Sequence, residues 1–285
     1  MTNFFNLWWV QVLLYLFFSV IFTQCFKITT KTSRSDGALT VLLEIICGLS
    51  MLFFVPCFEM KWSTDIRVYL LTGLAIVFYC IKDRLITTVR KNLEASSVNI
   101  LEQVNNVFLV VFGLIIFKEP FLLNKIIGAS LIIISNIIIF YQKGAFHFNI
   151  NILLGVIANL AFSVALCVNI GLSSQFNIGI YEMTLLLIPA LLISIFEKIK
   201  PSEILLELKI GNKPAIFITG LSWSLIIMTQ LRALQLGSIT TVAPLCAVSV
   251  ILNVFAGYIF LQERSGLFRK MVAAFMIIFS IILIK

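Results

Sequence analysis

Charge is what this chain has least of. Only 12% of its 285 residues are Asp, Glu, Lys or Arg, about half the share usual in soluble domains. The aspartates are Asp36, Asp65 and Asp83, far apart. No DxxD or DxxxD pair therefore exists to hold magnesium for a prenyl or phospho-alcohol transferase. Histidine occurs once, at His147, so no His-based metal or relay site is expected. There is no GxSxG, no HExxH and no glycine-rich phosphate loop. The expectation is a protein that is not an enzyme and carries no cofactor and no metal. The six cysteines, Cys25, Cys47, Cys57, Cys80, Cys167 and Cys246, lack metal spacing. Most lie inside apolar runs, where a free thiol behaves as a small hydrophobe, and no disulfide framework is implied. Polar linkers are scarce too. The one sizeable polar loop is "EKIKPSEILLELKIGNK", Glu197 to Lys213.

Hydrocarbon is abundant instead. Sixty per cent of residues are hydrophobic and the mean hydropathy is +1.08. Such a surface cannot be covered by water-compatible groups, so the class that fits is an all-α integral membrane protein. Helices follow because every backbone N–H and C=O inside lipid must be paired within its segment or in a closed barrel. A barrel would show short alternating segments, whereas long Leu/Ile/Phe runs are present. The net charge of +8 does not point to nucleic acid. The basic residues are dispersed at segment ends, facing lipid headgroups.

The predicted spans are Phe4 to Phe26, Gly37 to Phe58 (broken only by Glu44), a third from about Val68, a fourth ending at Phe117, and a fifth from Ile126 to Gln142. The second half gives about Ile152 to Leu172, Ile178 to Phe196, Pro214 to Leu236, Ile239 to Leu261 and Leu267 to Ile284. The first run is too long for a signal-peptide core and lacks a basic start, so it reads as a retained span. The expectation is ten transmembrane helices.

An internal repeat supports that count. With Glu119 set on Glu263, "SSVNILEQVNNVFLVVFGLIIFKEPFLLNK" falls on "TTVAPLCAVSVILNVFAGYIFLQERSGLFR". Gly113 then meets Gly257 and Lys125 meets Arg269. Five spans per half is an odd number, so the halves, 1–143 and 144–285, must lie in opposite orientations. Two inverted five-helix repeats are a plan of secondary transporters, whose solute site sits near the midplane.

The ends of the two halves carry a resemblance. "FGLIIFKEPFLLNKIIGASLIIISNII" (Phe112 to Ile138) and "LQLGSITTVAPLCAVSVILNVFAGYIFLQE" (Leu234 to Glu263) are similar to the fourth-to-fifth-helix signature of the drug/metabolite transporter superfamily, EamA-like family. The signature is Gly, apolar run, Glu, short loop, then a small-residue helix. The second half includes Pro244, while the first half departs with Ile100 in the equivalent place. The resemblance implies a multi-pass transporter of the cell (inner or plasma) membrane that moves small polar solutes with a proton or an exchanged solute. Amino acids, amines, sugars, nucleotide-linked sugars and drugs are all within that class. A nucleotide-sugar or other organic-anion antiporter, or a lipid-carrier flippase component, is the alternative. It also implies cytoplasmic ends, whereas the distribution of Lys and Arg favours the opposite side. The expected partners are a small-molecule substrate and membrane lipids, with no nucleic acid. Self-association into a homodimer stays open.

The candidate site rests on misplaced polarity. Lys82, Asp83 and Arg84 directly follow the uncharged run Val68 to Ile81, and Lys82 and Arg84 are candidate solute-binding cations. Either the third helix stops at Ile81 and the cluster is a wet loop, or the helix continues to about Lys91 with the charges past its middle. Fixed charges at that depth are costly unless they face protein or a watery cavity. Lys82 and Asp83, being adjacent, should not share one face, so one is expected to pair with a neighbour and the other with solute. In the fourth span Asn99, Glu102, Gln103 and Asn106 recur at i, i+3, i+4 and i+7, one face of a continuous helix. They read as solute-binding residues or as amides joining helices. Tyr79 and Trp223 are candidates to stack on a ring or cage an amine. Asn159, Asn169, Gln230 and Asn253 are further cavity candidates. Glu102 and Glu44 are the expected proton-coupling carboxylates, and Glu263 reads as a helix-exit or capping residue.

Overall fold

The computed structural model describes residues 7–115, 123–142, 145–146, 149–236 and 239–284. Glu119, His147 and Gly237 lie outside them. The described residues form α1 (Trp8–Thr32), α2 (Asp36–Ser50) continued by a 3-10 segment (Met51–Cys57), α3 (Ile66–Asn92), α4 (Ala95–Leu101), α5 (Val104–Ile115) and α6 (Leu123–Phe140). After a two-residue ladder, β1 (Tyr141–Gln142) antiparallel to β2 (Ala145–Phe146), come α7 (Ile150–Leu172), α8 (Ile178–Phe196), α9 (Pro201–Ile210), α10 (Lys213–Leu236), α11 (Ile239–Phe260) and α12 (Leu267–Ile284). The regular elements among the described residues are otherwise all helical. Among the described residues five helices are long and apolar enough to cross a membrane: α1, Asp36–Cys57, Ile150–Asn169, Ile178–Phe196 and Lys213–Ala233. Ile126–Phe140 and Val248–Phe260 are apolar but shorter. At 27 residues, α3 spans about 40 Å at the usual helical rise and, Arg67 at its start apart, carries its charges in its second half.

Local signals set the helix starts. Ser35 accepts from Ala38 N to cap α2, and Asn177 accepts from Ile180 N at 3.1 Å to cap α8. The Asn177 amide also donates to the carbonyls of Val55 (3.1 Å) and Phe58 (3.0 Å), tying the 3-10 segment to the start of α8. The polar loop predicted from Glu197 to Lys213 contains α9, which opens on Pro201, a residue preorganised for a first helical position.

The chain divides into two compact units. Unit 1 comprises Met1–Gln24, Asn92–Val156 and Leu225–Lys285; unit 2 comprises Cys25–Lys91 and Ile157–Ser224. In unit 1, Ala273, Ala274, Ile277 and Ile281 of α12 are buried, whereas Phe275, Phe279 and Ile282 are exposed. That is a helix with one packed face and one apolar outer face. In unit 2, α2 packs on α8 through Ala38, Val41, Ala190 and Ile193. Gly220 lets α10 approach α2 closely, since a Cβ there would sit 2.5 Å from Ile46 Cγ2.

Candidate functional site

The third helix does not stop at Ile81. It runs unbroken from Ile66 to Asn92, so the wet-loop alternative is set aside and Lys82, Asp83 and Arg84 are helical. Their side chains do three different things within unit 2. Asp83 is 2% exposed and receives Lys82 Nζ at 2.5 Å on Oδ1. The expectation that these neighbours would find separate partners is corrected here. The four-carbon lysine stem is long and flexible enough to close the pair between adjacent residues. Arg84 instead reaches Glu197 at the end of α8 (2.5 Å) and Thr88 (2.8 Å). Thr88 donates to Asp36, which also holds Lys91 at 2.8 Å. Arg84 thus belongs to an ionic network joining helix ends.

The Lys82 ammonium lies 5.2 Å from the ring centroid of Trp223 and 5.3 Å from that of Phe162. Both distances suit cation–π attraction. Glu44 of α2 is 0% exposed, and among the described residues no N–H donates to either of its oxygens. The group it meets is another carboxyl, that of Asp83. Next to this pair, Tyr79 Oη accepts from Asn169 Nδ2 at 3.1 Å, and the same amide lies 3.4 Å from Glu182 Oε1. Glu44, Asp83 and Glu182 are thus three buried carboxyl groups of unit 2, and the Lys82 ammonium is paired with one of them. Buried charge of this kind is expensive unless paired.

In unit 1 the expected polar stripe is also modified. The fourth span is not one helix: α4 ends at Leu101, α5 begins at Val104, and Glu102 and Gln103 form the turn between them. Backbone bonds there close over three residues, with Gln103 N to Ile100 O at 3.1 Å and Asn106 N to Gln103 O at 3.1 Å. Tightened turns inside a helix mark strain or a hinge. The amides span the break: Gln103 Nε2 donates to Asn99 O (3.4 Å) and Asn106 Nδ2 to Gln103 Oε1 (3.2 Å). Asn99 also reaches Thr23 at 3.5 Å. Asn253 is fully buried and bonds Ser19 at 3.4 Å, while Gln230 is exposed. The sequence-predicted residues therefore fall into two groups, one per unit.

Glu182 and Phe162 were not anticipated. Glu182 carries a signal that could have found it, a lone carboxylate inside an apolar span. Phe162 carries none, because one more Phe in an apolar run is indistinguishable from packing. A cavity of ≈ 130 Å³ in unit 2 is lined by Trp62, Tyr69, Phe176, Asn177, Tyr181 and Thr184 among others. Among the described residues no three His, Cys, Asp or Glu side chains gather as a metal site.

No family model matches the chain, and no curated protein does. It is similar to a solved structure known only as "Crystal structure of protein", with a TM-score of 0.55 and 14% identity over 95% of this chain and 95% of that one. At that identity the likeness concerns the fold alone.

Proposed function

We propose that the chain is a secondary transporter of a small polar metabolite, an amino acid, amine or related solute, in the cell membrane. Its plan is ten spans in two inverted five-helix repeats working by alternating access, coupled to a proton or an exchanged solute. One observation carries the reading. A fully buried carboxyl group on a membrane-length helix, Glu44, meets Asp83 and, among the described residues, receives no N–H donor. Two carboxyl groups in contact are comfortable when they share a proton. A site that gains and loses that proton is what coupling requires. An ionisable residue inside a membrane span marks a functional site by default. The turn at Glu102 and Gln103 supports the same reading, because discontinuous helices serve binding and gating in transporters.

The pairing of Lys82 with Asp83 disfavours the organic-anion alternative. An anion would have to take the ammonium away from a carboxylate that is 2% exposed. The test is flux in proteoliposomes of the purified chain under an imposed pH gradient, with labelled amino acids, amines and nucleotide sugars. Gradient-driven accumulation of one class is the expected result. No flux of any class, together with lipid scrambling, replaces this reading with a flippase component.

A further inference from the structure

We infer that the two rings and the carboxylate surrounding Lys82 Nζ form a cation subsite, that Lys82 is its built-in occupant, and that a solute ammonium group displaces it. The inference rests on the transporter reading and names its substrate class as a small alkylammonium. The geometry is that of ammonium recognition: Trp223 and Phe162 at 5.2 and 5.3 Å, and Asp83 Oδ1 at 2.5 Å. Aromatic faces plus one acid bind primary and quaternary ammonium groups alike, whereas they offer an anion nothing.

The occupant can leave. Lysine is a compact charge on a flexible stem, and the Lys82 side chain keeps 20% of its surface exposed although Asp83 beside it keeps 2%. It also has somewhere to go. Glu44 lies within its electrostatic reach. A displaced ammonium that donates to Glu44 satisfies a buried carboxyl group that no N–H of the described residues reaches. Charge is consistent with two cations: Asp83, Glu44 and Glu182 offer three carboxyl groups to a single ammonium. Asp83 then holds the solute and Glu44 holds Lys82, with Glu182 near Tyr79 and Asn169 available to a second polar group on the solute.

The experiment is equilibrium binding to the purified full-length chain in detergent, titrated with ethylammonium and tetramethylammonium chloride, with sodium acetate as the anion control. Removing the tethered competitor by Lys82→Met should tighten cation binding about tenfold, as expected when a resident cation–π partner no longer competes. Lys82→Gln should act in the same direction. Asp83→Asn should abolish binding, and Trp223→Leu should weaken it severalfold. Cation affinity unchanged in both Lys82 variants, or acetate binding that disappears with them, overturns the subsite. Cation binding that strengthens in Lys82→Met without flux in proteoliposomes leaves the subsite standing and removes the transporter reading. Amine flux indifferent to Lys82, Asp83 and Trp223 does the reverse.

Discussion

The carboxylate of Glu263 accepts the backbone N–H of Ala95 at 2.6 Å and that of Ser96 at 3.1 Å, although the residues are far apart in sequence. Helix α4 begins at Ala95 without a side-chain cap of its own, and the first amides of a helix need an acceptor. Glu263 supplies it from beyond the end of α11. Gln262, with φ of 55°, turns the chain there. The natural N-cap residue, Glu94, holds Lys270 at 2.6 Å instead.

Gly257 is part of that arrangement, because a Cβ on it would come within 2.9 Å of Glu263 Oε2. Glu263→Ala should therefore cost about 1–3 kcal/mol, the range for leaving buried donors unsatisfied. Gly257→Ala should cost a similar amount by pushing the carboxylate off the amides. The two losses should not add, since both break the same cap. Thermal unfolding of the single and double variants in detergent reads this directly, and fully additive losses would mean that Gly257 matters for some other reason.

Lys27 makes the opposite cap in unit 2. Its ammonium, 7% exposed, donates to the carbonyls of Arg90 (2.6 Å) and Lys91 (2.9 Å) at the end of α3. A cation there satisfies terminal acceptors and suits the helix dipole. Lys27→Met keeps the stem and removes the donor, so a loss of about 1–3 kcal/mol is expected. Proteolysis should reveal the same change as earlier cleavage near Asn92. An unchanged melting temperature would show that water replaces the ammonium at no cost.

Composition alone makes the helical class legible, because a chain this apolar has no water-compatible alternative. The continuity of α3 was legible as well, since an uncharged run ending at Ile81 falls short of a crossing. Other features were not. Periodicity places Asn99, Glu102, Gln103 and Asn106 on one face, but it cannot register that the helix breaks between Leu101 and Val104. Nothing local announces that break: no proline or glycine lies there. The pairing of Lys82 with Asp83 escaped a rule about helical faces because the rule tracks Cβ directions, and a lysine ammonium sits several bonds beyond its Cβ. Glu44 and Asp83 were each visible as isolated acids. Their meeting depends on how α2 packs on α3, which sequence spacing does not encode.

On the proposed transporter reading, the two expected proton carriers, Glu44 and Glu102, can be told apart. Glu44 is fully buried and faces Asp83, whereas Glu102 sits in the turn between α4 and α5. Glu44→Gln should abolish uptake driven by a pH gradient while leaving solute exchange partly intact, because the amide is shaped like the protonated acid but cannot release a proton. Glu102→Gln should slow transport without abolishing its dependence on the gradient. The check is gradient-driven uptake and counterflow measured side by side for each variant. Wild-type coupling in Glu44→Gln, with coupling lost in Glu102→Gln, would reverse the assignment.

The same carboxyl group yields a test in which stability and activity should move in opposite directions. Burying Glu44 without a donor is unfavourable, and apolar replacement of buried ionic groups is often neutral or stabilising by about 1–4 kcal/mol. Methionine shares the unbranched shape of glutamate and adapts to irregular space. Lys82 already satisfies Asp83 at 2.5 Å, so Glu44→Met does not leave that carboxylate without a donor. The expected outcome is a higher melting temperature together with loss of gradient-driven uptake, the trade expected of a group kept for work rather than for folding. A lower melting temperature would identify Glu44 as a structural member of the cluster and leave proton coupling to be sought elsewhere.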